Sequence, residues 1–211
     1  MKGVSKRKQR AFPRDLVAYM REKAAGLTEA GFDPAQRIAV NTSYAVAAEQ
    51  REGEQRARAA EARLATKASW QALNTAYREA SAVISLVKGY MGRRHPFVKN
   101  LHKLRQFPLN RARKLSFVLR MKEWLKKNAS LLREAGLDPD PLITAIRGQV
   151  DEVARTNGRM LGARADLRKA TKLSRKAADE SYRQASRTIM IAAGLLGNDH
   201  ELVREMRKLR N

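Results

Sequence analysis

Residues 29–34 read EAGFDP, and residues 134–139 read EAGLDP. The two hexapeptides lie 105 positions apart, and they are not isolated. At the same spacing, ATKAS (65–69) falls on ATKLS (170–174), and AYREAS (76–81) on SYRQAS (181–186). Gly53, Gly89, Gly92 and His95 fall on Gly158, Gly194, Gly197 and His200. Aligning positions 12–106 with 117–211 gives 29 identities in 95 pairs without a gap. Unrelated chains would match at roughly one position in sixteen, so the sequence reads as a tandem duplication. A repeat sets the unit that must fold, and so it constrains the architecture before any local pattern does.

The hexapeptide has a physical reading. Gly31 and Gly136 can take the left-handed conformation that ends a helix. The next residues, Phe32 and Leu137, then meet Leu27 and Leu132 five positions back, an apolar pair both times. Asp33 and Asp138 stand where a helix cap belongs. Pro34 and Pro139 suit the first helical position, which needs no amide proton. The motif is a helix stop followed at once by a helix start.

Apolar residues recur at helical spacing along most of the chain. Leu16, Met20, Ala24 and Leu27 line a first helix from about Pro13 to Ala30, answered by Met121, Leu125, Ala129 and Leu132. Trp124 stands there in place of Tyr19. A second helix starts at Pro34 and carries Ile38 and Tyr44. Its counterpart carries Ile143, Ile146, Val150 and Val153. A third carries Leu73, Tyr77, Ala80, Ile84, Val87 and Met91, answered by Tyr182, Ala185, Ile189, Ala192 and Leu196. A short fourth follows at Pro96–Leu104 and at Glu201–Leu209. No stretch alternates with β-branched enrichment, so no sheet is expected. The fold class expected is all-α: two tandem homologous antiparallel bundles, each of three main helices and a short one. Gly53 and Gly158 are the expected points of reversal between the second and third helices. The apolar pattern can be traced through Gly158 without a phase break. However, a single helix from 34 to 92 would extend about 90 Å and find little partner surface in a chain this small. The expected division is a basic tail at 1–12, one repeat at 13–105, a basic linker at 106–116 and a second repeat at 117–211.

The stretches AYREASAVISLVKGYMG (76–92) and SYRQASRTIMIAAGLLG (181–197) place aromatic, small and aliphatic residues before a glycine. In this the chain resembles a loose group of uncharacterised bacterial two-repeat helical proteins with alanine-rich helices. The resemblance covers most of each repeat. It implies a helical fold and no known activity, and it carries no site residue over. The strongly basic linker departs from that group.

Charge gives the main functional signal. The net charge is +23 over 211 residues, and it is unevenly spread. Residues 1–14 hold six basic side chains and no acid, and residues 93–127 hold twelve against Glu123 alone. The remainder is close to balanced. Arg outnumbers Lys, 28 to 16, and the guanidinium fork suits phosphate oxygens. Such segments neutralise phosphates and release counterions, which gives affinity without sequence reading. The candidate contact residues are Lys6, Arg7, Lys8, Arg10, Arg93, Arg94, Lys99, Lys103, Arg105, Arg111, Arg113 and Lys114. DNA and RNA are not distinguished by them. Phe97 and Phe107 could stack on bases or anchor the short helix and linker. The linker at Phe107–Pro108–Leu109–Asn110 could be a hinge or a packed corner.

Other readings of the charge stay open. It could serve solubility or acidic protein partners in a helical scaffold, or hold the chain to an anionic membrane surface. Membrane contact is the weaker case, since the linker supplies only part of an inserting apolar face. The longest apolar run, residues 188–196, is too short to span a bilayer. The N-terminus lacks the pattern of a secretory leader. Cysteine is absent, which fits a reducing, cytoplasmic setting. No cofactor or metal is expected, since no His, Cys and carboxylate cluster has metal spacing. His95 and His200 are equivalent and read as turn or cap residues. Phosphate-loop, dinucleotide and nucleophile-elbow motifs are missing. Asp151–Glu152 and Asp179–Glu180 lie among Lys and Arg as solvated helix faces. The chain is therefore expected not to be an enzyme.

Overall fold

A computed structural model describes the backbone of residues 6–104 and 110–210, and the side chains of 10–101, 103–104 and 110–210. The described residues form eight α-helices and no strand: α1 (Lys6–Glu22), α2 (Ala24–Glu29), α3 (Pro34–Met91), α4 (Pro96–Lys103), α5 (Arg111–Lys127), α6 (Ala129–Glu134), α7 (Asp140–Leu196) and α8 (Glu201–Arg210). The helices α1 and α5, like α2 and α6, begin and end 105 residues apart.

The hexapeptide behaves as its chemistry dictates. Gly31 and Gly136 have φ of 89° and 84°. The amides of Phe32 and Leu137 donate to the carbonyls of Leu27 and Leu132, 2.8 Å each. Asp33 accepts from the Ala35 amide at 2.9 Å and Asp138 from the Asp140 amide at 3.1 Å. Gly92 and Gly197, at φ of 84° and 91°, end the long helices. Just beyond them, His95 and His200 accept through Nδ1 from the amides of Phe97 and Leu202, 3.3 Å each.

The expected reversals at Gly53 and Gly158 do not occur. Both glycines lie inside unbroken helices, α3 of 58 residues and α7 of 57. A glycine within a helix costs only about 1 kcal/mol relative to alanine. The surrounding Ala, Glu, Gln and Arg favour helix and add local ion pairs. Arg56 reaches Glu52 at 2.9 Å, Arg51 reaches Glu54 at 2.8 Å, and Arg155 is bidentate on Glu152. The first helix also starts earlier and is less regular than expected. It starts at Lys6, inside the segment expected to be a tail, and breaks at Lys23, as α5 and α6 break at Asn128.

The chain divides into two compact units that do not follow the sequence halves. One comprises residues 1–59 with 166–211, and the other residues 60–165. The first unit therefore joins α1, α2 and the start of α3 to the end of α7 and α8. Its core holds Phe12, Leu16, Met20, Leu27 and Phe32 together with Ala185, Ile189, Val203 and Met206. The second unit joins the end of α3 and α4 to α5, α6 and the start of α7. Its core holds Leu73, Tyr77, Ala80, Val83, Val87 and Leu101 with Phe117, Met121, Leu125, Leu132, Ile146 and Val153. Each unit is built from the leading part of one sequence half and the trailing part of the other. The missing partner surface for a long helix is thus the other long helix: α3 and α7 pack together within each unit.

Candidate nucleic-acid interface

Ten of the twelve candidate cations fall into three groups, with Arg10 and Arg113 apart from them. Arg93, Arg94, Lys99 and Lys103 belong to the second unit and are exposed. The first two occupy the turn after Gly92. The other two stand one turn apart on the outer side of α4, whose inner side buries Val98 and Leu101. That amphipathic split fixes the lysines outward. Among the described residues, no carboxylate pairs with any of these four cations. Beside them, the His95 ring stacks on Phe97 at 5.3 Å between centroids. Phe97 is half-buried.

The corresponding corner of the first unit is different. There the turn reads Asn198–Asp199, α8 begins with Glu201, and Arg207 is tied to Asn198 through Oδ1. By sequence the second unit has 21 basic and 8 acidic side chains, and the first has 23 and 13. The net charge is therefore +13 in the second unit and +10 in the first, so both units are strongly basic.

Arg111 and Lys114 form the second group, and they turn inward. The Arg111 guanidinium donates to Asn157 Oδ1 at 3.0 Å and to the buried Ser69 hydroxyl, and sits 5.5 Å from the Trp70 ring. Lys114 donates to Asn74 Oδ1 at 2.7 Å and lies 5.8 Å from Trp70 and 5.5 Å from Tyr77. These partners are neutral amides, a hydroxyl and aromatic faces, which hold a cation without cancelling it. Arg113 is half-buried at the start of α5, and its amide donates to the cap residue Asn110 at 2.9 Å. Arg10, on α1, is opposed at 2.9 Å by Glu52. The neighbouring Arg14 pairs with Glu49.

The third group lies outside the described residues: the side chains of Lys6, Arg7 and Lys8, and Arg105 altogether. The same holds for Phe107 and for the expected hinge at 107–109. Sequence reasoning missed the niche that takes Arg111 and Lys114. Its signal was Trp70, an aromatic with Arg175 at the equivalent position and so peculiar to one half.

Elsewhere the site chemistry is plain. Among the described residues, no group of three or more His, Cys, Asp or Glu is placed to hold a metal ion, and no helix is long and apolar enough to cross a membrane. Tyr19 is half-buried, and its hydroxyl donates to Glu205 at 2.8 Å. Burial pushes its pKa above the ordinary tyrosine value, and the Glu205 carboxylate adds to the effect through the hydrogen bond and its charge. No family model, no curated protein and no solved structure matches this chain.

Proposed function

We propose that the chain is a non-enzymatic protein that binds nucleic acid through the phosphate backbone, largely without regard to sequence, and that it arose by duplication of a helical segment. The observation that carries this reading is the uncompensated corner of the second unit. Arg93, Arg94, Lys99 and Lys103 project into solvent with no acidic partner among the described residues; Lys99 and Lys103 have basic equivalents in Arg204 and Lys208, whereas Arg93 and Arg94 are answered by Asn198 and Asp199. Two corners of the same local design differ in the charge of the turn, so the helical scaffold alone does not require Arg93 and Arg94. Exposed Arg and Lys on rigid elements suit phosphate oxygens, and α4 presents no row of Asn, Gln and Arg for reading base edges.

The test is binding of the purified protein, cleared of co-purifying nucleic acid, to random duplex DNA and to single-stranded RNA between about 50 and 300 mM salt. Replacing Arg93, Arg94, Lys99 and Lys103 by Ala should make the salt dependence on duplex DNA shallower by roughly three to four units. Absence of binding to both polymers at low salt would overturn the reading.

One observation favours a second reading, a helical scaffold that binds other proteins. Ala82, Ser85, Leu86, Gly89 and Tyr90 form an open apolar stripe along α3 in the second unit. Leu86 and Tyr90 are exposed. On that reading the protein forms assemblies that survive salt.

A further inference from the structure

The cores of the two units differ in polarity where Asn41 and Thr188 meet. In the first unit, Asn41 on α3 is 1% exposed and Thr188 on α7 is 0% exposed. The Asn41 amide donates to the Arg37 carbonyl and to Thr188 Oγ1, both at 2.8 Å, and Thr188 Oγ1 donates to the Gln184 carbonyl at 3.1 Å. Shifted by 105, these positions are Ile146 and Val83. Both are buried in the core of the second unit. One unit is thus polar against polar, and the other apolar with apolar.

This matters because the two sequence halves have an alternative. Each could close on itself, its own leading part packing on its own trailing part. Most core residues would not object. Phe12 and Phe117 are interchangeable by type, as are Tyr77 and Tyr182. Self-closure would, however, set Asn41 against Val83 and Thr188 against Ile146. The buried amide would then lose its hydroxyl partner in a place water does not reach, and unmet buried polar groups are costly. A second contact points the same way. Tyr19 donates to Glu205, whose equivalent in the first half is Asn100. Self-closure would also need a reversal near residue 60, where RARAAEAR offers helix formers and no turn residue.

We propose that the Asn41–Thr188 hydrogen bond is a pairing code: it makes the two halves of the chain exchange partners instead of each closing on itself. A single buried asparagine that sets pairing in coiled coils works by the same physics.

The test uses the full chain, which has no native cysteine to interfere. Gln55 donates to Thr171 at 3.3 Å in the exchanged pairing. In self-closure, Gln55 would instead approach Thr66, the equivalent of Thr171. On an unbroken α3 those two are about 16 Å apart, beyond a short bismaleimide. A chain with Gln55→Cys, Thr66→Cys and Thr171→Cys, refolded at low concentration and cross-linked, therefore reports both pairings in competition. The native code should give the 55–171 product. Moving the hydroxyl, with Val83→Thr and Thr188→Val while Asn41 stays, should raise the ratio of 55–66 to 55–171 product by about tenfold to a hundredfold. Adding Asn41→Ile and Ile146→Asn re-matches both units and should return the ratio to its native value. An unchanged ratio in the Val83→Thr, Thr188→Val chain would overturn the proposal, as would failure of the four-residue relocation to restore it.

Discussion

The ring of Phe12 packs edge-on against that of Tyr182, 170 positions further along the chain, with centroids 5.3 Å apart. In the other unit Phe117 meets Tyr77 at the same 5.3 Å. Each phenylalanine opens a half of the chain, and each finds its tyrosine in the other half. Both phenylalanines are 1% exposed. Truncating either to Ala should cost about 3–5 kcal/mol, read from urea unfolding. The location of the damage is the sharper check. Phe12→Ala should raise amide exchange in residues 10–59 and in 166–210, and leave 60–104 less affected. Damage confined to residues 10–104 would contradict the exchanged pairing.

The glycines separate into two behaviours. Gly53 and Gly158 lie in helix with open space where a Cβ would go. Alanine there should stabilise by about 0.5–1 kcal/mol. Gly31 and Gly136 have equally open surroundings but positive φ, so alanine should destabilise them by about 1–2 kcal/mol. Thermal melts of the four single variants check both signs. A destabilising Gly53→Ala would mean that the chain reverses there.

Arg111 holds Ser69 and Asn157 in the second unit. Replacing it by Ala removes a charged donor from two neutral partners and should lower stability by about 1–3 kcal/mol. The Arg93, Arg94, Lys99, Lys103 variant should melt close to the parent, because exposed cations lacking ion pairs contribute little to folding. Calorimetry of the two variants separates a structural cation from a surface one.

Tyr19 gives a pH dependence. Its hydroxyl is held protonated in the fold, with a pKa above the unfolded value of about 10. Its contribution to stability is therefore full below that unfolded value. It is lost as pH rises from there through the folded value, because the unfolded chain releases the proton first. Tyr19→Phe should be less stable than the parent near neutrality, by about 0.5–1.5 kcal/mol for the lost hydrogen bond. It should also lose stability less steeply above about pH 10. Denaturant melts of both proteins between pH 8 and 11 check the slopes.

Local chemistry in this chain could be read directly from the residues. The Gly–x–Asp–Pro stops, the apolar faces of the first helices and the capping histidines all appear where the pattern placed them, because each depends on neighbours within five residues. The course of α3 through Gly53 could not be read the same way. One glycine costs too little to stop a helix, and whether the helix continues is decided by a partner surface more than a hundred residues away. The same limit applied to the cations. Exposure of Lys99 and Lys103 follows from the i, i+4 spacing on amphipathic α4, whereas the inward turn of Arg111 needed Ser69, Trp70 and Asn157 brought to it from α3 and α7.

The division of the core between distant segments sets an order of assembly during synthesis. Residues 60–165 are contiguous, so the second unit has all its parts as soon as α7 is half made. Phe12, Leu16 and Met20 are translated long before Val203 and Met206, which complete their core. At ordinary elongation rates that interval is on the order of ten seconds. For that time α1 of the nascent chain must travel with its apolar side bare, which makes it the helix most dependent on being shielded until α8 arrives.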